Sequence, residues 1–212
     1  MNLPGRRDGV DALTRRHLGS LTRALNLFGA QAAKLRDWGT ILAGVLCDGG
    51  RLLVAGNGGS AAEAQHLTAE LVGKMGADRR PLSAIALSAE TSSLTAIGND
   101  YGYAEVFARQ VRAHGRRGDV LLTLSTSGGS ANLLAAEAAA REIGLRRWAF
   151  TGPEPNPLAA ASEDALAVPS ADPQTVQELH LVGVHLLCAH VEAALPAAPR
   201  LSVVRPLERS PG

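Results

Sequence analysis

The segment RLLVAGNGGSAAEAQHLTAELV, residues 51–72, decides the fold. It starts with an apolar run from Arg51 to Ala55, continues through a glycine-rich turn at residues 56–60 and ends in a stretch of helical periodicity at 61–72. A short and nearly continuous apolar run before a helix is typical of a buried strand in a parallel sheet. The segment therefore predicts a strand, a loop and a helix in immediate succession.

The same pattern recurs through the rest of the chain. Apolar runs of strand length, separated by helical stretches, lie at residues 83–87, 120–124, 148–151 and 165–168. Strands that alternate with helices form parallel sheets covered on both faces. We therefore predict an α/β fold with a doubly wound, five-stranded parallel sheet sandwiched by helices. A last helix is expected from about Gln174 to Leu195, after Pro173 and before Pro196.

Two amphipathic helices are expected before the sheet. Apolar residues recur at three- and four-residue steps from Val10 to Cys47, and Gly29 is the expected joint between the helices. Two helices are too few to form a domain, so we expect them to serve packing on the sheet and oligomerisation. The predicted organisation is a flexible N-terminus at 1–9, a single domain at 10–196 and a disordered tail, rich in Pro and Arg, at 197–212.

The composition argues against several classes of protein. Lys and Arg number 21 against 20 Asp and Glu, so a net charge of +1 provides no general attraction to nucleic acid or to an anionic membrane. Apolar runs fall short of the roughly 18 residues of a membrane span, and the N-terminus lacks the apolar segment of a secretory signal. The two cysteines, Cys47 and Cys188, do not suggest a metal motif or a disulfide framework. We expect a cytoplasmic protein without nucleic-acid or membrane partners.

Two loops have the composition of an anion site. Residues 56–60 read GNGGS and residues 125–130 read STSGGS, and each loop follows a predicted strand and precedes a predicted helix. Ligands of open α/β sheets bind beyond the carboxyl ends of the strands, where glycines and the N–H groups of a helix start can approach an anion. Four hydroxyls in the second loop exceed what helix capping requires. We expect the loops to bind a phosphate monoester without a lysine.

The first loop could also serve a purely structural role or bind a nucleotide. A tight strand-to-helix turn with Ser60 as N-cap would explain that loop alone. The chain lacks G-x-x-x-x-G-K-[ST], which disfavours a Walker-type ATPase. A nicotinamide site is weakened, because Ala61 stands at the third glycine of the fingerprint and the second strand ends at Ser88 without an acidic residue, Glu90 lying only in the next loop.

Polar side chains of two predicted helices are candidates for chemistry. His66 and Glu70 are four residues apart on the helix after the first loop, and therefore lie on one face. Such a pair is also common on helix surfaces, but this helix begins at the first loop, so we expect the pair to face a ligand. On the last helix, Gln177 and His185 are separated by about 12 Å of rise and about 80° of rotation, so their convergence on one point is not automatic.

These segments resemble the sugar isomerase domain family, and more closely its phosphoheptose isomerase branch. The resemblance covers about residues 10–195, with the family's motifs in the family's order. The motifs are GNGGS at 56–60, H-x-x-x-E-L at 66–71, GNDYG at 98–102, GDVLL at 118–122, STSGGSAN at 125–132 and Q-E-x-H-x-x-x-x-H at 177–185.

The resemblance implies an intramolecular oxidoreductase that converts sedoheptulose 7-phosphate to D-glycero-D-manno-heptose 7-phosphate through an enediol. Glu70 and His185 match the family's acid–base pair. Some members also bind zinc at positions that match His66, Glu70, Gln177 and His185, in sites built between subunits of a homotetramer. The resemblance therefore implies a zinc ion and a homotetramer for this chain. From the loops and the resemblance together, the predicted substrate-binding set is Asn57, Gly58, Gly59, Ser60, Glu70, Asn99, Asp100, Ser125, Thr126, Ser127, Ser130 and Gln177.

Two departures and two rival functions accompany the resemblance. Gly129 stands where many relatives carry Asn, and Gln174 where relatives often carry an acidic residue, which bears on pH response and substrate fit. One rival is a non-catalytic sugar-phosphate sensor or protein-partner module on the same fold, but a pure binder needs neither Glu70 nor His185. The other is an isomerase of amino-sugar or pentose phosphates, a branch that usually lacks the His and Glu set described above.

Overall fold

A computed structural model describes residues 6–76 and 78–196 of the chain. The predicted tail at 197–212 and the first five residues lie outside this part. The helices are α1 (Arg6–Phe28), α2 (Ala32–Cys47), α3 (Gly59–Val72), α4 (Thr91–Tyr101), α5 (Ala108–His114), α6 (Ala131–Ile143), α7 (Pro157–Ala161) and α8 (Pro173–Ala194). The strands are β1 (Leu52–Gly56), β2 (Ala84–Ala86), β3 (Val120–Ser125), β4 (Arg146–Thr151) and β5 (Asp164–Ala167). Within the described ranges, no helix is long and apolar enough to span a membrane.

The five strands form one parallel sheet in the order β2-β1-β3-β4-β5, which confirms the predicted α/β fold. Strands β1 and β3 are neighbours, with Gly56 opposite Leu124. The chain leaves β1 toward β2 on one side and later continues from β3 toward β4 on the other, so the topological switch point lies between β1 and β3. The two predicted anion loops follow these two strands and therefore lie side by side.

Helices cover both faces of the sheet. One apolar cluster combines α1, α2, α3 and α8 with strand residues such as Leu52 and Val54, and the other combines α5, α6 and α7 with strand residues such as Leu53 and Ala55. Because successive strand side chains point to opposite faces, every residue of β1 is buried. This two-sided burial explains why the strands read as continuous apolar runs in the sequence.

The N-terminal helices begin earlier than the expected boundary at Val10, since α1 starts at Arg6. A 3₁₀ turn at Gly29–Gln31 joins α1 to α2, in agreement with the predicted joint. Helix α2 packs on the sheet through Trp38, whose ring stacks on that of Trp148 with centroids 4.6 Å apart. The indole N–H of Trp38 also donates to Asp164 Oδ2 at 2.8 Å. The sheet therefore holds α2 by stacking and by a hydrogen bond.

Candidate active site

The first loop is shaped by two glycines. Gly58 has φ +56° and is the N-cap of α3, so the helix starts at Gly59 and the alternative of Ser60 as N-cap is wrong. Ser60 lies in the first turn and is buried, with 3% of its surface exposed. A Cβ at Gly56 would lie 2.5 Å from the carbonyl oxygen of Ser60. The strand can therefore pass directly beneath the helix start only with glycine at this position.

In the second loop, two serine hydroxyls accept hydrogen bonds from the backbone and remain free to donate. The N–H of Gly128 donates to Ser125 Oγ at 3.0 Å, and the N–H of Gly129 donates to Ser127 Oγ at 3.3 Å. A hydroxyl that accepts from the backbone still has its own O–H to donate. Ser130 occupies the N-cap position of α6, where the free N–H groups of the first turn favour an anion. The loop therefore has the donors that a phosphate requires.

Side-chain hydrogen bonds connect the first loop to two other elements. Asn57 Nδ2 donates to Asn132 Oδ1 at 3.0 Å, and Asn132 Nδ2 donates back to Asn57 Oδ1 at 2.9 Å. The hydroxyl of Tyr103 also donates to Asn57 Oδ1, at 3.1 Å. Asn132 belongs to the first turn of α6, and Tyr103 to the short segment between α4 and α5. Sequence reasoning selected Asn57 but assigned no role to either partner.

The predicted pair Asn99 and Asp100 lies at the end of α4. Both residues are exposed, and Asn99 Nδ2 donates to Asp100 Oδ1 at 2.8 Å. Helix α4 is capped by Glu90, whose carboxylate accepts from the N–H groups of Ser92 and Ser93. These hydrogen bonds lower the pKa of the Glu90 carboxyl. The end of α4 is only two residues from Tyr103, which places this pair close to the first loop in the chain.

Three of the predicted chemical groups converge between α3 and α8. His66 Nε2 is 2.9 Å from His185 Nε2 and 3.5 Å from Glu70 Oε1. One ligand atom from each residue lies within 4.8 Å of the others. The Glu70 side chain is 21% exposed and that of His66 is 41% exposed, so the cluster is open to a ligand. Of the two residues of α8 whose convergence on one point was not automatic, His185 lies in this cluster.

The amide of Gln177 lies at a different point. A Cβ at Gly59 would lie 2.6 Å from Gln177 Oε1, so this side chain packs against the start of α3. From Gly59 to His66 the helix rises about 10 Å. Gln177 thus contacts the first loop and is placed to meet a ligand there, whereas a role as fourth metal ligand stays a prediction. Gln174 is exposed on the first turn of α8 and Gly129 is exposed in the second loop.

The donor set of the cluster fits a zinc ion. Two imidazole nitrogens and a carboxylate oxygen are common zinc ligands. For bonds of about 2.05 Å in tetrahedral geometry, ligand atoms are about 3.3 Å apart. The separations of 2.9 and 3.5 Å around His66 Nε2 bracket this value. The types and spacing of these ligand atoms are therefore compatible with a zinc ion held by His66, Glu70 and His185, all of whose ligand atoms lie within 4.8 Å of one another.

Comparison with known proteins agrees with the geometry. The SIS domain family model matches residues 18–152. The phosphoheptose isomerase of Streptomyces coelicolor is 63% identical over 179 residues, which cover 84% of this chain and 78% of that protein. The chain belongs to the phosphoheptose isomerase family. Among solved structures, a phosphoheptose isomerase from Francisella tularensis gives a TM-score of 0.81 at 33% identity, with 87% of this chain and 98% of that chain covered. The enzyme from Neisseria gonorrhoeae gives 0.78 at 37% identity, with 87% and 99% covered.

In this family member, Arg79 holds the turn of α3 that carries Glu70. Its guanidinium donates to the carbonyl oxygens of Glu70 at 2.7 Å and Leu71 at 2.9 Å, which are at the C-terminal end of α3. Its Nε donates to Glu192 Oε1 at 3.1 Å, which links the turn to the end of α8. Sequence reasoning missed Arg79, because the segment between α3 and β2 has no periodicity that would place it.

A buried pair of titratable groups lies behind the first loop of the isomerase. His180 on α8 is fully buried, and its Nε2 donates to the carbonyl oxygen of Thr151 at 3.1 Å. Its Nδ1 is 3.8 Å from Glu63 Oε2, and neither of these two atoms has a hydrogen-bond partner among the described residues. Burial raises the pKa of Glu63 to about 8 and lowers the pKa of His180 to about 4. Both groups are therefore neutral near pH 7.

This pair predicts how the stability of the isomerase depends on pH. The pKa of Glu63 is about 8 in the folded state, against an ordinary value of 4.5, so its contribution is full below pH 4.5 and is lost as pH rises through 8. The pKa of His180 is shifted in the opposite direction, so its contribution to stability is full above pH 6.5 and is lost as pH falls through about 4. As pH rises from 5 to 8, we expect the free energy of unfolding to fall less in Glu63→Gln than in wild type. The difference between the two falls should be about 1 kcal/mol or more.

Urea unfolding followed by fluorescence of Trp38 and Trp148 at fixed protein concentration measures this difference. Glu142→Gln, at an exposed carboxylate of α6, is the matched control and should keep the wild-type dependence. The same fall in stability between pH 5 and pH 8 in Glu63→Gln and in wild type would contradict the assignment of a raised pKa to Glu63.

Proposed function

We propose that this isomerase converts sedoheptulose 7-phosphate to D-glycero-D-manno-heptose 7-phosphate. The observation that carries the proposal is the meeting of Glu70, His66 and His185 between α3, which begins at the first anion loop, and α8, which contacts that loop through Gln177. Aldose–ketose interconversion needs a base for carbon, an acid or base for oxygen and donors for a developing oxyanion. The site provides each of these groups, and 63% identity to a named phosphoheptose isomerase supports the substrate.

In this proposal each of the two loops binds a different part of the substrate. The hydroxyl and N–H donors of the loop at residues 125–130 bind the phosphate. Asn57 and Asp100 bind hydroxyls of the sugar, with Asn99 beside Asp100 and Gln177 beside the first loop. Because β1 and β3 are adjacent, one sugar phosphate can contact both loops at once. Binding at both ends fixes the reacting carbons relative to Glu70.

Proton transfer is assigned to the cluster. Glu70 removes the proton from C1 and returns it at C2, through the enediol. Without a metal, His185 moves the proton of the neighbouring oxygen and assists ring opening. Glu70 Oε1 faces His66, which leaves Oε2 to carry the proton. This division explains why a carboxylate and an imidazole are both present at one point of the site.

We also propose that His66, Glu70 and His185 bind zinc. Gln177, the fourth predicted ligand, contacts Gly59 instead and would have to move toward His66 to join them. When bound, zinc would polarise the sugar carbonyl as a Lewis acid and keep both imidazoles neutral. The separations of the ligand atoms support this proposal.

Zinc is expected to raise the thermal midpoint of the chelator-treated protein. Binding to the folded state alone stabilises it by about 2.7 kcal/mol at 100 times the dissociation constant. His66→Gln and His185→Gln each remove a ligand, so each variant should lose most of the increase. His114→Gln, at an exposed histidine of α5, should keep it. Differential scanning fluorimetry with and without zinc measures these shifts, and equal shifts in all four proteins would overturn the metal assignment.

The expected homotetramer and cytoplasmic location remain proposals. Exposed leucines on α1 support self-association, because large apolar side chains in contact with water favour burial against another subunit. The four residues are Leu13, Leu18, Leu25 and Leu27, with 58%, 56%, 47% and 60% of their surfaces exposed. Light scattering tests the assembly, and a monomer mass at micromolar concentration would contradict it.

A direct assay tests the proposed reaction. The purified protein is incubated with sedoheptulose 7-phosphate, and the sugar phosphates are separated by anion-exchange chromatography. We expect an aldoheptose phosphate to accumulate to a fixed ratio with the ketose, and no turnover of unphosphorylated sedoheptulose, because the loop at 125–130 then has no phosphate to bind. If no aldose forms with or without added zinc, a binding or partner-recruiting role becomes the better account.

A further inference from the structure

Asn57 is held from two sides by residues that have no assigned role. Asn132 exchanges two hydrogen bonds with it, at 3.0 and 2.9 Å, and Tyr103 donates a third at 3.1 Å. Asn132 is 3% exposed, whereas Tyr103 is 60% exposed. We call these three side chains the Asn57 network. It joins the first loop, the first turn of α6 and the segment before α5.

Among the contacts of the described residues, the network leaves the side chain of Asn57 with a single free hydrogen-bonding group. An amide oxygen accepts two hydrogen bonds and an amide nitrogen donates two. Oδ1 of Asn57 already accepts from Asn132 and from Tyr103, and Nδ2 already donates once to Asn132. The remaining group is one N–H of Nδ2. The side chain of Asn57 can therefore offer a ligand a donor but not an acceptor.

We infer that Asn132 is a positioning residue that, together with Tyr103, aims the free N–H of Asn57 at an oxygen of the bound sugar phosphate. This inference rests on the proposed function for the nature of the ligand. Because Asn132 is buried, it acts through Asn57 and does not touch the sugar. Without it, the Asn57 amide is free to rotate about its last side-chain bond, and the donor is no longer held in one direction.

Asn132 also lies where it can couple the two loops. It follows Ser130 by two residues, in the first turn of the helix that starts at the second loop. The reciprocal amide pair therefore also connects the two loops that divide the substrate in the proposed function. A buried amide pair with both hydrogen bonds formed is well suited to this task, because breaking it leaves polar groups without partners.

A double-mutant cycle tests the inference. Asn132→Leu is expected to lower kcat/KM for sedoheptulose 7-phosphate by about 10- to 100-fold, and Tyr103→Phe by about 3- to 10-fold. In an Asn57→Ala background, the same Asn132→Leu change should lower kcat/KM by less than about threefold, because the side chain on which it acts is gone. Thr123→Val is the matched control: it removes a buried hydroxyl in β3 that contacts Glu137 Oε1 and the carbonyl oxygen of Trp148, and it should stay within about twofold of wild type.

An equal loss in both backgrounds would overturn the inference, since Asn132 would then act independently of Asn57. If Asn132→Leu does not fold, the same cycle is run with Tyr103→Phe, whose exposed ring stays in place. If wild type shows no turnover, the proposed function fails, and the network is then tested by NMR of the side-chain amides in the free protein. The proton of Asn57 Nδ2 that donates to Asn132 should exchange with solvent at least tenfold more slowly in wild type than in Asn132→Ala, which cannot accept a hydrogen bond from it, and equal rates would contradict the network itself.

Discussion

Replacement of Glu70 by Gln is expected to lower kcat by about 10³-fold or more, with a much smaller change in KM. Gln has nearly the same shape and retains an oxygen at the position that faces His66, but it cannot accept and return a proton. The loss should therefore appear in the chemical step and not in binding. Steady-state kinetics with sedoheptulose 7-phosphate measures both constants, and calorimetry of sugar-phosphate binding provides an independent value for affinity.

The control for this variant is a carboxylate of the same type outside the site. Glu142 on α6 has a side chain that is 64% exposed and pairs only with Arg112 among the residues for which contacts are described. Glu142→Gln should retain wild-type kcat. Retention of more than about a tenth of wild-type kcat in Glu70→Gln would remove Glu70 from the proton transfer.

Replacement of Gly128 by Ala is expected to raise KM for the sugar phosphate by about 100-fold and to lower the free energy of unfolding by about 1–3 kcal/mol. Gly128 has φ +63°, a conformation that L residues rarely adopt. Its added Cβ would also overlap Oδ1 of Asn156, which caps α7. The loop must therefore shift, and its donors to the phosphate shift with it.

The neighbouring glycine provides a matched control. A Cβ at Gly129 would approach only Ser127 Oγ, at 3.9 Å, and the backbone there does not require a positive φ. Gly129→Ala should thus leave both KM and stability near wild type. KM and urea unfolding are measured for both variants. If the two glycines respond equally, the second loop does not have the geometric role that we assign to it.

The strand-loop-helix unit at residues 51–72 could be predicted closely because local physics determines it. The predicted helix began at Ala61, but α3 starts at Gly59, since Gly58 supplies the positive φ that lets the chain turn directly into a helix. Strand β4 starts at Arg146, earlier than predicted, because two arginines precede its apolar residues. Such differences arise at the ends of elements, where a capping residue sets the start of a helix or where the first residues of a strand are exposed to solvent.

Helix α4 was not predicted as a separate element, and its composition explains why. Within the described chain none of its residues is fully buried, and only Leu94 and Ile97 pack against the core, so its apolar stripe is too short to be recognised in sequence. Glu90 stabilises its start by accepting hydrogen bonds from two backbone N–H groups. The candidate residues Asn99 and Asp100 were found from their motif alone.

The contents of the candidate site were predictable, whereas its geometry was not. Spacing placed His66 and Glu70 on one face of a helix, but the approach of His185 depends on how α8 packs against α3 across the same face of the sheet. The position of Gln177 beside Gly59 and the contact of Tyr103 with Asn57 also depend on packing between distant segments. No local pattern encodes these contacts.

The most direct test of the proposed isomerisation is incubation of the wild-type protein with sedoheptulose 7-phosphate in deuterated water, followed by NMR of the C1 and C2 protons. A proton carried by Glu70 through an enediol exchanges with solvent, so we predict an aldoheptose phosphate with deuterium at C2 and exchange of a C1 proton in the remaining ketose. An unchanged ketose with no exchange at C1, with or without zinc, would contradict the proposed isomerisation.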